Sequence, residues 1–296
     1  MTGNLEPIQS DPIQSEPVYK SKPINYAKLA AKIPFYLLVS IYAFVIILPL
    51  LTLLSASLRT DADLYAPTFL PPHPTLEPYI LALTNYPLGR YLLNSLLVSS
   101  LITLGVVITS STAGYALARV NLPYRELIFG AVVGLLLVPG EITFLPLYLH
   151  VNNLGWLDTY HGLIVPFIAS PLGIFLMRQF LKSLPQDLFD AAKIDGAGHF
   201  RTLWHVAIPL ATPALGALAA LTFLGAWNMY LWPLVTTQSK EMQTAQIAVS
   251  MIVSVEGAQW NIVAAGAILV LLPTLIAFLV AQRAFVSGIT LGGLKG

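Results

Sequence analysis

From Ile33 to Ser57 the chain carries no charged side chain, and five further stretches are almost as apolar. A helix needs about 20 residues, at about 1.5 Å of rise each, to cross the hydrocarbon of a bilayer. The stretches Ile33–Ser57, Tyr91–Ala118, Leu127–Leu149, Gly162–Met177, Val206–Val235 and Ile262–Val280 reach or approach that length. A soluble helix this long would turn a charged face to water, and these have none. With 56% hydrophobic and 10% charged residues, the chain has too little polar surface to coat a water-soluble globule of 296 residues. The sequence therefore predicts an all-α integral membrane protein with six transmembrane helices. The fourth is short and carries Pro166 and Pro171, so its freed backbone groups depend on neighbouring helices.

Residues 1–31 are polar and proline-rich and predict a disordered tail. They do not resemble a cleavable signal peptide, because Lys20, Lys22, Lys28 and Lys32 precede a full-length span. A membrane domain over 32–284 and a glycine-rich tail over 285–296 complete the expected organisation. Short cytoplasmic loops collect Lys and Arg. Six spans with a cytoplasmic start put Lys20, Lys22, Lys28, Lys32, Arg119, Arg125, Arg178, Lys182, Lys193, Arg201, Arg283 and Lys295 on one side, leaving Arg59, Arg90 and Lys240 on the other. Both termini are then expected to be cytoplasmic.

Several function classes lose support at this point. The chain has no cysteine, which removes disulfides, thiol catalysis and cysteine-ligated metals. His73, His150, His161, His199 and His205 have no metal-site spacing, so no metal is expected. No nucleophile, base and orienting acid are placed together, so the chain is not expected to be an enzyme. Its basic residues stand singly between apolar spans, which argues against nucleic acid. Six helices without a detectable internal repeat make half a transporter, and a second subunit is expected to supply the rest.

The most informative segment lies between the fourth and fifth spans, over 183–209. Ser183 and Gln186 have capping-box spacing, and Pro185 is placed in the first turn of a helix running to about Ile194. Leu184, Leu188, Ala191 and Ala192 are expected to share a small, apolar side, with Asp187, Asp190 and Lys193 elsewhere. Asp195 and Gly196 break the helix, and a second begins near Gly198 before Pro209. Physics alone leaves this open as an interfacial helical pair with ordinary turn chemistry.

The run Asp190-Ala191-Ala192-Lys193-Ile194-Asp195-Gly196-Ala197, followed by Val206-Ala207-Ile208-Pro209, resembles the EAA loop of binding-protein-dependent ABC importer permeases. The resemblance extends to Asn94-Ser95-Leu96, Ala113 through Arg119, Leu145-Pro146-Leu147-Tyr148, Phe175 through Phe180, Pro213-Ala214-Leu215 and Asn228 through Leu234, and is nearest to the carbohydrate branch of maltose-type and glycerol-phosphate permeases. The leading glutamate of the family is Asp190 here, which keeps the charge on a shorter stem. The resemblance implies that Asp187, Asp190, Ala191, Ala192, Asp195, Gly196, Ala197 and Pro209 belong to a coupling helix docked on a separate ATPase, with Gly196 at the bend. It implies a dimer of cytoplasmic ATPase subunits that binds ATP and Mg, a homologous second permease, an extracytoplasmic solute-binding protein and a sugar-like cargo. No cofactor is implied for this chain. Gly288, Thr290, Gly292, Gly293 and Lys295 resemble the tail that reaches the ATPase in maltose-type permeases. Gly288 and Gly293 have P-loop spacing, but Leu294 stands where the lysine would follow, so the chain itself is not expected to hydrolyse ATP.

For the solute path the sequence offers Asn94, Glu141, Trp227, Asn228 and Tyr230. Glu141 is the only acidic residue inside the six stretches. It either marks a polar cavity or sits at an interface if the span ends at Pro139. Trp232 and Tyr148 are expected in the interfacial aromatic belt. An ion-coupled carrier, the main alternative, would need more ionisable groups at mid-membrane. A self-sufficient channel or a membrane scaffold would not need the coupling loop.

Overall fold

The computed structural model describes residues 32–254 and 259–293. The tail expected over 1–31, and Lys295, lie outside them. The chain divides into two units, Met1–Leu50 and Leu51–Gly296, each taken by itself. Helix α1 (Ile33–Ser57) begins in the first and ends in the second with the limits the sequence suggests. The second unit holds α2 (Glu77–Thr84), α3 (Leu88–Arg119), α4 (Arg125–Leu136), α5 (Gly140–Asn153), α6 (Tyr160–Ile164) and α7 (Pro171–Ser183). These are followed by α8 (Gln186–Ile194), α9 (His199–Thr202), a π-turn over Leu203–Ala207, α10 (Ile208–Leu210) and α11 (Thr212–Trp227). Helices α12 (Leu231–Thr236), α13 (Ala245–Ser254) and α14 (Trp260–Gly293) complete it. Among the described residues there is no strand.

Four helical segments are long and apolar enough to cross a membrane: Ile33–Ser57, Leu88–Arg119, Tyr160–Ser183 and Trp260–Leu279. The number rises to six if each of two bent pairs counts as one span. The expected third span is not a straight rod, because α4 and α5 meet at 97°. Pro139 has no N–H for the carbonyl of Leu135 and disfavours helical dihedrals at Val138, so the helix stops and restarts at Gly140. The expected fifth span bends by 80° at Ala211 and breaks again between α11 and α12. There Pro213, in the first turn of α11, withholds an N–H from the carbonyl of Pro209. The fourth span is longer than expected. Thr159 caps the N-terminus of α6 and Ser170 that of α7, each accepting from the backbone N–H three residues on, and this carries the chain past Pro166 and Pro171.

Helix α3 shows why these elements need lipid. Leu93, Leu97, Leu101, Leu104 and Ile108 form one exposed stripe, while Ser95, Ser99 and Ser110 are buried on the opposite side and Asn94 is buried at the edge of the stripe. A helix folded in water buries its leucines. Inside a membrane domain, small residues instead permit close helix packing, and hydroxyls find backbone partners. Ser99 and Ser111 each donate back to a carbonyl one turn earlier. A Cβ added at Gly114 would stand 2.7 Å from Cβ of Met177, and one added at Gly105 would stand 2.7 Å from Cβ of Ile168. The backbones of α3 and α7 therefore approach closely. One apolar core gathers Ile102, Val106, Met177, Leu181, Phe189 and Leu218, and a second gathers Leu88, Tyr91, Trp227, Ile252 and Val270.

The two ends of α3 carry different furniture. Near its start, Arg90 donates to the carbonyl of Glu241, and Asp158 fastens the loop after α5 to the loop after α12. Asp158 has φ +58°, and its carboxylate accepts from the backbone N–H of Gln238 and Ser239 and from the Ser239 hydroxyl, each at 3.0 Å. Burial would push this carboxyl up, but those donors prevail and hold it below the usual carboxylate range. Its folded pKa is depressed, so the stabilisation is present at neutral pH and is lost as pH falls through the folded value. Asp158→Ala is expected to cost about 1 kcal/mol at neutral pH. In thermal melts, the gap between variant and parent should close in strong acid; a gap independent of pH would rule out the charged contacts.

Candidate functional site

The far end of α3 meets the helical pair expected over 183–209. Helix α8 starts at Gln186 with Pro185 extended before it, and the expected capping box does not form. Ser183 instead ends α7, where its hydroxyl donates to the carbonyl of Phe180 at 2.7 Å. Gln186 bonds Arg119 with its oxygen and Asp190 with its nitrogen, at 3.0 Å for the latter. The inward face also differs from expectation. Phe189 and Ala192, 2% and 8% exposed, turn into the core, whereas Ala191 faces out. Judging the helix by its small residues missed Phe189, whose ring lies 4.0 Å from the Arg119 guanidinium carbon.

Gly196 ends α8 as the sequence suggests. It has φ +74°, its N–H donates to the carbonyl of Lys193 at 3.0 Å, and that of Ala197 donates to Ala192 at 2.9 Å. This is the Schellman arrangement, which requires left-handed dihedrals at the residue after the cap. Asp187, Asp190, Ala191 and Asp195 are exposed around it, as are Leu188, Ile194 and Phe200, the last two at 87% and 79%. Pro209 lies beyond the π-turn in α10, just before the bend at Ala211.

Two arginines fix this element. From α3, Arg119 donates through Nε to the carbonyl of Leu181 at 3.1 Å and through Nη2 to that of Leu184 at 2.7 Å. From α7, Arg178 donates through Nε to the carbonyl of Leu117 at 3.1 Å and grips Glu126 with Nη2, at 2.7 and 2.8 Å to the two carboxylate oxygens. Its guanidinium carbon lies 3.6 Å from the centre of the Phe129 ring. Each arginine thus bonds the backbone of the other's helix.

The residues offered for a solute path separate into two kinds. Glu141, in the first turn of α5, and Tyr230 line one cavity of about 500 Å³ with Thr143, Phe144 and Trp232. Asn228 lines another of about 360 Å³ with Gln246, Ser250 and Thr274, and accepts from Gln246 at 3.1 Å. The connector Asn228-Met229-Tyr230 thus borders both cavities, and Thr143, Gln246 and Thr274 had no sequence signal to separate them from other polar residues. Asn94 and Trp227 are buried with their polar groups engaged. Asn94 donates to the carbonyls of Glu241 and Gln243 and accepts from Tyr160, while the Trp227 indole donates to Val270. Trp232 does not belong to an interfacial belt. It is 4% exposed, donates to the carbonyl of Gly162 at 3.0 Å, and packs edge-on against Phe144 and Phe167. The backbone of Gly288, Thr290, Gly292 and Gly293 continues α14. Among the described residues, no three His, Asp or Glu gather as metal ligands.

Residues 105–290 match the family model described as "Binding-protein-dependent transport system inner membrane component". The chain belongs to this family. The permease is 34% identical over 277 residues to the arabinooligosaccharides transport system permease protein AraQ of Bacillus subtilis, covering 91% of this chain and 96% of that relative. It is 36% identical over 264 residues to the sn-glycerol-3-phosphate transport system permease protein UgpE of Yersinia pestis, covering 86% and 94%. Its fold matches a chain of a bacterial ABC transporter involved in alginate import, with a TM-score of 0.78 at 23% identity, covering 89% of this chain and 99% of that one.

Proposed function

We propose that this permease is one of two membrane subunits of an ABC importer for a sugar or sugar-like solute, such as an oligosaccharide, glycoside or polyol. Names of its relatives support that cargo class, since AraQ is named for arabinooligosaccharides and UgpE for glycerol phosphate. Each bent pair counts as one span, giving six. The α3 end that carries Arg119, Arg125, Arg178, Lys182, Lys193 and Arg201 faces the cytoplasm, in keeping with the preference of basic residues for that side. Helix α8 docks on an ATPase dimer that binds the nucleotide and Mg. A second, homologous permease completes the pore, and a solute-binding protein delivers cargo on the other side.

The observation that carries this reading is the set Leu188, Ala191, Ile194 and Phe200, apolar side chains exposed on an element studded with Asp187, Asp190, Lys193 and Asp195. Lipid does not suit so charged a surface, and exposed apolar residues rimmed by polar ones mark a protein contact. Asp187 and Asp190 suit basic residues on the ATPase, and the last turn of α14 with the Gly288–Gly293 run offers a second contact. Closure of the ATPase dimer would then move residues 187–201 as a lever and swing the spans between inward- and outward-open states. Glu141, Tyr230 and Asn228 would border the solute route.

Because the chain has no cysteine, single cysteines report without background. Cysteine at Leu188 or Ile194 is expected to crosslink to the co-expressed ATPase subunit, and cysteine at Lys240 is not. Labelling of Ile194→Cys by a membrane-impermeant thiol reagent added outside intact cells would sink the assignment.

A further inference from the structure

Arg119 lies at the last position of α3, yet every hydrogen bond its guanidinium makes is to the α7–α8 junction. Leu181 is in the last turn of α7 and Leu184 caps it, so both carbonyls belong to the set that a helix end leaves without an internal partner. Arg119 supplies donors to both. The same group bonds the side-chain oxygen of Gln186, the first residue of α8, and has its central carbon 4.0 Å from the ring centre of Phe189, the residue by which α8 enters the core. One side chain of the membrane helix therefore grips the end of α7, the start of α8 and the inward face of α8. Arg178, by contrast, reaches back to Leu117 and Glu126, and among the described residues it makes no hydrogen bond to α8.

A planar fork with donors on three nitrogens and a face that stacks on an aromatic ring can hold all these partners at once. Lysine has the charge but neither the fork nor the face. We infer that Arg119 is the positioning residue through which movement of α8 is transmitted to α3. Without it α8 keeps its shape and its exposed docking face, with Phe189 still in the core and the Schellman turn intact, but tilts on the α7 end instead of carrying α3 along. This rests on the proposed docking of α8 on an ATPase.

The test uses the complete transporter in liposomes, with its second permease, ATPase and loaded binding protein, and compares Arg119→Lys with Phe189→Leu. Arg119→Lys is expected to retain the ATPase through purification while uptake per ATP hydrolysed falls about tenfold or more, the size expected when hydrogen bonds to a charged group are lost. Phe189→Leu keeps the apolar anchor and loses only the stacked ring, so it should fall part of the way. Spin labels on cysteines at Lys193, on the side of α8 away from its exposed apolar face, and at Leu104 give a second readout. Their separation should stay fixed between nucleotide-free and ATP-bound parent, and should shift between those states in Arg119→Lys. Unchanged uptake per ATP in Arg119→Lys would overturn the inference. So would loss of the ATPase from purified Arg119→Lys, since that would make the residue a fold support only. If the Leu188 crosslink to the ATPase is absent in the parent, the docking itself fails; if it is present and Arg119→Lys transports normally, only the transmission role fails.

Discussion

Gly114→Val is expected to destabilise the permease by about 1–3 kcal/mol, whereas Gly134→Val leaves it unchanged or slightly firmer. Both glycines stand inside helices, so the intrinsic preference for valine over glycine is similar at the two sites. What differs is the surroundings. A Cβ at Gly114 meets Cβ of Met177 at 2.7 Å and the backbone nitrogen of Arg178 at 3.0 Å, and neither atom can rotate away. A Cβ at Gly134 meets nothing within 4 Å. To admit valine, α3 and α7 must part, which draws Arg178 from the carbonyl of Leu117 and Arg119 from that of Leu181. The damage should therefore reach the coupling element as well as the core. Thermal melting in detergent, followed by fluorescence of the five tryptophans, gives the comparison. Equal melting temperatures for the two variants would refute close packing of α3 on α7.

The sequence made the long spans legible because charge-free runs of that length have one good solvent. Ile33–Ser57 needed no correction, and Tyr91–Ala118 moved by three residues at one end and one at the other. The bends at Pro139 and Ala211 were not legible as bends. Hydropathy sums apolar surface but carries no direction, and a proline in an apolar run is compatible with a kink, a break or a reversal. Ser183 misled for a related reason: its hydroxyl had a carbonyl within reach one turn back, and spacing alone does not tell which partner wins. Arg119 and Arg178 registered as orientation charges and as parts of the resembling runs, but not as ties between helices, since their partners, backbone carbonyls together with Gln186 and Glu126, lie more than fifty residues away along the chain. In the solute path, Asn94 and Trp227 have the chemistry a sugar contact wants, but that chemistry also serves to tie helices together. Glu141 and Tyr230 come to one cavity because two breaks, at Pro139 and at Asn228 to Tyr230, place helix ends side by side.

Gly196→Val is expected to abolish uptake and the stimulation of ATP hydrolysis by loaded binding protein, while insertion and core stability persist. A Cβ at Gly196 would meet nothing within 4 Å, so crowding is not the cause. The backbone is: φ +74° is left-handed, costing an ordinary residue roughly 1–2 kcal/mol and a β-branched one more. Valine relieves that strain by leaving the conformation, which breaks the Gly196 to Lys193 and Ala197 to Ala192 hydrogen bonds and redirects the chain into α9. Helix α8 would keep Phe189 and Ala192 in the core, but its exposed face and the segment toward Pro209 would no longer share one geometry. A graded series separates this account from a simple need for a small residue. Asparagine tolerates left-handed dihedrals and should retain most uptake; alanine, smaller but less tolerant, should retain less; valine should retain none. If alanine outperforms asparagine, size and not dihedral freedom governs the position, and the bend at Gly196 is not what orients the coupling helix.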